Sequence, residues 1–494
     1  MPIASTARHQ AGTGECATKR TSRRILSGMP TDQLVFTHAE CVCNEVMALS
    51  NRHQAPAPPA RREWRELLVA PGMDGQVEPW SRKKVVAHYD GGKRSRYDNA
   101  RISLESEHLT ERDGNIRMFL KADKYHFDED VRIKAPRCIQ FRRERYGLEL
   151  GRFVHAIEEE LYPTTLDCSE TPVFAKCRNF EQRASDLLAK SKVFADPVYL
   201  LLDQTNWDSH VNSTLLEYEH QLYLSKCPNK YFAFLLNMQK HNKGGTRNGT
   251  RFSTKATRMS GDMNTALGNC VVNYGLLYTW AKEAKLRCCF YIDGDDSVVV
   301  MEKTDMEKAR LLDPATWFLN WGMESKVEWA YQFEHCEFCQ CRPVFDGLAY
   351  RMVRNPERFC IRSGWTVNPH PEAFFPKLVA SIAKCEMATH PGIPVVFPLA
   401  AKMLEASGLR PDMKVWRGLD SYQRAKHEAW APDRAHLISR PITMESRLSL
   451  EAAWSIPVLK QLEMEASELR LAHTSPEDWA TYLLHFAGDN HVGL

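Results

Sequence analysis

No apolar run in this 494-residue chain approaches the ~20 residues needed to cross a bilayer. Its N-terminus also lacks the continuous apolar core of a secretory signal. Charge of one sign is scarce in sum: 65 Lys and Arg against 62 Asp and Glu leave a net charge of only +3. A nucleic-acid partner therefore has to be argued from local clustering of cations, because the overall charge does not announce one. No repeat of solenoid period is present, which excludes a stacked array. The 15 cysteines form no regular framework, and the chain is far larger than a disulfide-stapled module. We read them as reduced thiols in a cytosol-like compartment.

What remains is an ordinary globular composition, 43% hydrophobic and 26% charged, long enough for several packed lobes. Residues 1–62 read as a flexible basic leader ending in the Pro-rich linker Gln54-Ala55-Pro56-Ala57-Pro58-Pro59-Ala60, with compact structure expected from about Trp64. The apolar spacing of Leu150–Leu161 predicts an amphipathic helix. Val198-Tyr199-Leu200-Leu201-Leu202 predicts a buried strand that delivers Asp203 at its end. A helical pattern over 262–284 follows Ser260-Gly261-Asp262. A helix around 304–321, a hairpin around 336–354 and a largely helical C-terminal third complete the pattern.

The sharpest chemical feature is Tyr291-Ile292-Asp293-Gly294-Asp295-Asp296, a tight turn between two β-prone apolar runs. Adjacent carboxylates at such a tip repel each other unless a cation shares them. Taken alone, an exposed acidic turn and a divalent-metal site are both open readings. Asp203 and Asp208, five positions apart at the end of the buried strand, supply further carboxylates. Asp203, Asp295 and Asp296 are enough to hold a pair of Mg²⁺ ions, which sit ~3.5–4 Å apart in phosphoryl-transfer sites.

Two basic stretches suit a polyanion. The first carries Arg132, Lys134, Arg137, Arg142, Arg143 and Arg145, and the second Lys243, Arg247, Arg251, Lys255 and Arg258. Their cations alternate with Gly, Pro or aromatic residues, as phosphate-contacting loops require; a solvated charged face is the alternative. Between loop and helix lie Ser260, Thr265 and Asn269. The last two are four apart on one helical face, and Gly268 permits close approach. An Asn facing the acid site can read a ribose hydroxyl.

Asp203 with Asp208, Arg258-Met259-Ser260-Gly261-Asp262-Met263-Asn264-Thr265-Ala266-Leu267-Gly268-Asn269, and Gly294-Asp295-Asp296 resemble motifs A, B and C of viral RNA-dependent RNA polymerases. The tombusvirus-like enzymes of positive-strand RNA viruses are the most similar type. Lys134-Ala135-Pro136-Arg137-Cys138-Ile139-Gln140 is similar to motif F, Trp321–Glu328 to motif D, and Glu337-Phe338-Cys339-Gln340 to the primer-grip motif E. The resemblance covers roughly 117–345.

It implies an α+β right-hand polymerase with an antiparallel palm sheet and a helical thumb. Fingers would span 63–194 and 209–260, palm 195–208 and 261–345, and thumb 346–494. It implies Asp203 and Asp295 as metal ligands with Asp296 in support, Mg²⁺ as cofactor and Mn²⁺ as its substitute. Asp208 and Asn269 would bind each other and the ribose 2′-hydroxyl, and Ser260 and Thr265 would position template and nucleotide. Arg137 and Lys134, with Arg132 beside them, would grip the triphosphate, and Lys326 would protonate the leaving pyrophosphate. An ordinary surface lysine is the other reading of Lys326.

The implied activity is template-directed RNA synthesis from nucleoside triphosphates, replicating and transcribing a viral genome, with RNA template and product as partners. The chain has no anchor of its own, so a membrane-bound viral partner would hold it at replication complexes on host membranes in the cytoplasm. Two rivals stand beside this reading. A reverse transcriptase or DNA polymerase would prefer a bulky residue where Asp208 and Asn269 stand, and an RNA-binding replicase subunit would have an inactive acid site. His335, Cys336, Cys339 and Cys341 leave one more question open: Cys-rich spacing of this kind can bind Zn²⁺, yet strand alternation would point these side chains to different faces.

Overall fold

The computed structural model describes residues 4–5, 19–31, 33–126, 135–368, 370–409 and 440–472. At its centre lies a four-stranded antiparallel sheet. Its order is Cys288–Asp293, Asp296–Glu302, Pro197–Gln204, Ser325–Ala330. Both faces are covered, which explains why the strands read as continuous apolar runs instead of alternating ones. Val198, Leu200, Leu202, Phe290, Ile292, Val299 and Met301 pack toward the long helix Thr265–Glu283 in the largest core. Tyr199, Cys289, Tyr291, Val298 and Val300 pack on the other face against Phe180, Leu187, Cys336, Phe338 and Met352.

The hairpin expected around Gly294 is present. Asp293 pairs with Asp296, leaving Gly294 and Asp295 as the two turn residues. Gly294 stands at φ 74°, a conformation only glycine adopts without strain. The expected helix over 262–284 begins at Thr265, because the loop from Ser260 to Asn264 is tied elsewhere: Gly261 N–H donates to the Gln140 carbonyl at 2.7 Å. The stretch 304–321 is broken at Pro314 into Met306–Leu311 and Pro314–Leu319, since proline removes a helix donor and clashes with the preceding turn.

A second sheet runs Ala4–Ser5, Thr250–Lys255, His241–Thr246, Ile116–Leu120, Cys138–Phe141. C-terminal helices Phe375–Thr389, Val396–Ala406, Met444–Trp454 and Val458–Glu465 surround a separate core built on Phe375, Leu378, Val379, Leu399, Met403 and Leu450. No helix among the described residues is long and apolar enough to cross a membrane.

The flexible leader expected over 1–62 is corrected in its described part. Arg23–Arg24 pairs with Trp365–Thr366, Leu26–Ser27 with Arg470–Leu471, and Val35–His38 with Tyr125–His126. Ile25, Leu26 and Met29 are buried in the C-terminal helical core. The helix Val42–Ala48 is held by buried Glu45, which accepts hydrogen bonds from Thr246, Asn248 and Thr250 at 2.6–2.8 Å. These strands are two to four residues long with partners about 90 to more than 400 positions away, so local periodicity could not reveal them.

Candidate active site

Strand register assembles the acids. Asp293 faces Asp296 across the hairpin, and Asp203 faces Lys326 across the next pair. Ser297 pairs with Leu202, so the register carried one residue further sets Asp296 beside Asp203. Asp293, Asp296, Asp203 and Lys326 thus form one row across the end of the sheet. Because side chains alternate along a strand, all four leave on the same face as Tyr199, Tyr291 and Val298. Asp295 sits above the row in the turn, where Asn273 Nδ2 donates to the carbonyls of Gly294 and Asp295 at 3.1 Å each.

The row opens on two adjoining cavities. The larger, about 490 Å³, is lined by Arg137, Asp203, Asp208, Asn269, Asp295 and Lys326, with Ser260 and Thr265 also on its wall. The smaller, about 210 Å³, is bordered by Asp203, Asp296, Lys326, Glu337 and Cys339. Nine of the eleven residues given roles by the resemblance therefore border these two cavities, which share Asp203 and Lys326. The remaining two, Arg132 and Lys134, lie outside the described residues.

Electrostatics follow from this crowding. Burial, then the charges of Asp295, Asp293 and Asp203, push the Asp296 carboxyl up to about 7. Burial also raises Asp295, with Asp203 and Asp293 adding to the shift. Asp208 is pushed up to about 7 by burial and by Asp295, while Arg258 and a hydrogen bond from Asn269 pull the other way. Asp293 is different: burial works to raise it, but Lys176 and Arg183 outweigh that and hold it low. Both cations contact it directly, Arg183 at 2.5 Å.

This donor set suits a hard divalent cation. It is all oxygen, and its carboxylates pay for their proximity with raised affinity for protons. No three His, Cys, Asp or Glu groups among the described residues converge tightly enough to enclose an ion as their side chains now stand. The four residues considered for zinc go to separate partners. His335 Nε2 meets the Ala452 carbonyl at 3.1 Å, Cys336 and Cys341 are buried in the core, and Cys339 Sγ lies 3.8 Å from Asp293.

Asp208 and Asn269 are mounted on a buried ionic network. Arg258 Nε donates to Asn269 Oδ1 at 2.8 Å, which leaves the Asn269 amide hydrogens for Asp208. The Arg258 guanidinium is paired with Glu219, both side chains almost wholly buried. Its backbone N–H donates to the Asp208 carbonyl at 2.8 Å, so one residue holds both members. Asn264 Nδ2 donates to Glu219 at 2.6 Å. Gly268 belongs to the same device: a Cβ there would stand 2.3 Å from Glu219 Oε1 and 2.6 Å from an Arg258 nitrogen.

Two expectations about cations change here. Arg258 is an internal strut, almost wholly buried and paired with Glu219. Arg142 is likewise buried, donating to Asp262 at 2.8 and 3.0 Å and to the Gly114 carbonyl, and Arg145 pairs with Asp113. Arg137 remains half exposed on the cavity wall, held at 2.6 Å by Asp123. Ser260 Oγ donates to Gln140 Oε1 at 2.8 Å and Thr265 Oγ1 to the Met259 carbonyl at 2.8 Å, so both shape the loop that borders the cavity.

Sequence reasoning missed Asn273, Asp293 with Lys176 and Arg183, and Lys121 and Arg52 on the cavity wall. Asn273 lies one helical turn beyond Asn269, a spacing that could have flagged it. Lys176 and Arg183 carry no local signal.

A family model described as viral RNA dependent RNA polymerase matches residues 17–475. The RNA-directed RNA polymerase of Tobacco necrosis virus (strain A) is 32% identical over 413 residues, covering 81% of this chain and 56% of the relative. That of Carnation mottle virus is 33% identical over 337 residues, covering 66% and 43%. That of Groundnut rosette virus (strain MC1) is 29% identical over 441 residues, covering 86% and 50%. The chain spans about half the length of these curated relatives.

Proposed function

The chain belongs to the family of viral RNA-dependent RNA polymerases, and from that premise we propose that it copies RNA templates into RNA from nucleoside triphosphates. The observation that carries the reading is the row Asp296, Asp203, Lys326, which borders the same cavity region as the Asp208–Asn269 pair. One cavity then offers carboxylates for divalent ions, a cation opposite them, and amide and carboxyl groups for a sugar hydroxyl. The four-stranded sheet takes the part of the palm, the sheet and helices before and between its strands that of the fingers, and the C-terminal helices that of the thumb.

Family members use divalent ions, and we assign Mg²⁺, replaceable by Mn²⁺, to Asp203 and Asp295 with Asp296 in support. When bound, such ions lower the pKa of the primer 3′-hydroxyl and screen charge on the leaving pyrophosphate. The protein's own part is positioning. Asp203, at the end of its strand, and Asp295, in the hairpin turn beside it, define where the α-phosphate lies. Arg137, with Lys134 and Arg132 from the adjoining segment, orients the triphosphate in line with the attacking hydroxyl. Asn269, held by Arg258, and Asp208 bind the 2′-hydroxyl, while Ser260 and Thr265 keep the bordering loop in place. Lys326 Nζ, opposite Asp203, gives a proton to the departing pyrophosphate oxygen. Replication complexes on host membranes in the cytoplasm, reached through a separate membrane-bound partner, are the setting we assign.

Sugar choice tests this assignment against a DNA polymerase or reverse transcriptase. With ribo- and deoxyribonucleotides competing on one RNA template, the wild type should favour ribonucleotides. Asn269→Ala should cut that preference by roughly 10- to 100-fold, the loss expected when a paired polar contact is removed. Unchanged discrimination in the variant would refute the sugar assignment.

A further inference from the structure

The N-terminal segment reaches the active site. The helix Val42–Ala48 runs into a π-helical turn, Leu49–His53, and Arg52 and His53 on that turn line the larger cavity with Lys121, Arg137, Asp203 and Asp295. Single π-turns of this sort recur at functional sites, since the extra residue redirects side chains.

The mount is rigid. Glu45 fastens the helix to the hairpin 241–255, and Gln54 Nε2 donates to the Ser253 carbonyl at 3.3 Å. The His53 ring is 3% exposed and packs edge-on against Phe252 at 5.7 Å, with its Nε2 unpartnered among the described residues. Arg52 itself spends Nε on the Ala135 carbonyl at 2.8 Å. It forms no ion pair with a carboxylate among the described residues.

Among the described residues, Arg52, Lys121 and Arg137 share one neighbouring carboxylate. It is Asp123, already engaged by Arg137 at 2.6 Å and Lys121 at 3.6 Å. Arginine cannot shed its proton in a protein. A half-buried guanidinium beside a second one, with no carboxylate of its own among the described residues, gains a charged partner when an anion enters.

We propose that Arg52 is a nucleotide-binding residue, its free guanidinium nitrogens contacting the phosphates of the incoming nucleoside triphosphate beside Arg137. This rests on the polymerase reading for the identity of the substrate. The phosphate chemistry is shared with the RNA backbone. The triphosphate is favoured because the same cavity holds the acids and the sugar-reading pair.

The test uses the full chain and two equilibrium measurements that need no turnover. One is binding of ATP with Mn²⁺ by displacement of a fluorescent ATP analogue; the other is binding of a single-stranded RNA by gel shift. Arg52→Ala should weaken ATP binding about tenfold, as loss of a charged hydrogen bond implies, and leave RNA affinity within about twofold. Arg52→Lys should fall between. If Arg52→Ala melts early, Arg52→Gln, which keeps a donor for Ala135, carries the comparison.

Weakened RNA binding with unchanged ATP affinity would overturn the proposal in favour of a template contact. Unchanged affinity for both, or no ATP binding by the wild type, would overturn it too. A wild type that binds ATP through Arg52 but makes no RNA sinks the polymerase reading and leaves this one standing.

Discussion

Asp295→Asn is expected to abolish RNA synthesis while leaving the metal-free protein at least as heat-stable as the wild type. The two halves have one cause. Asp295 stands half-buried among Asp203, Asp293 and Asp296, and its carboxyl is raised by burial and by the charges of Asp203 and Asp293. An acid whose folded pKa exceeds its unfolded value adds stability only at low pH, and that contribution is lost as pH rises through the folded pKa. Above the folded pKa the ionised group is therefore a burden on the fold, and a neutral amide of the same shape removes it. The activity lost is the carboxylate that holds charge where phosphoryl transfer needs it, worth on the order of 10³-fold or more in rate. Added Mg²⁺ should raise the wild-type melting temperature and raise that of Asp295→Asn less. A variant that melts well below the wild type, or one that retains activity, would contradict this account.

The second large effect lies away from the reacting atoms. Glu219→Gln removes the partner of Arg258, whose guanidinium is almost wholly buried. Breaking such a pair from one side leaves an uncompensated charge and costs about 3–5 kcal/mol. Denaturant unfolding should show that loss. Arg258 also fixes Asn269 by its Nε and Asp208 by its backbone N–H. Sugar discrimination should therefore fall in whatever fraction stays folded. Near-wild-type stability with intact discrimination would show that the network does not hold the sugar-reading pair.

Much of the site was legible because its residues sit at the ends of strongly patterned elements. A five-residue apolar run ending in Asp203 reads as a buried strand that delivers an acid. A Gly between two β-prone runs reads as a hairpin turn, and Asn269 follows Thr265 by one helical turn. What escaped depends on distant partners. Arg142 and Arg258 look like phosphate contacts until Asp262 and Glu219 are seen against them. Arg23, Leu26 and Phe36 look like leader residues until strands at 365, 470 and 125 are seen beside them. Cation-rich sequence does not distinguish a strut from a binding site, since burial decides which it is.

The central claim is that acids from neighbouring parts of one sheet, Asp203 at a strand end and Asp295 in the hairpin turn, form one centre for template-directed phosphoryl transfer. Single-turnover extension of an RNA primer by one complementary ribonucleotide, in Mg²⁺, tests it most directly. The account predicts extension by the wild type only with the nucleotide the template specifies, and none above background by Asp203→Asn or Asp295→Asn. Extension by either variant at the wild-type rate, or none by the folded wild type, would contradict it.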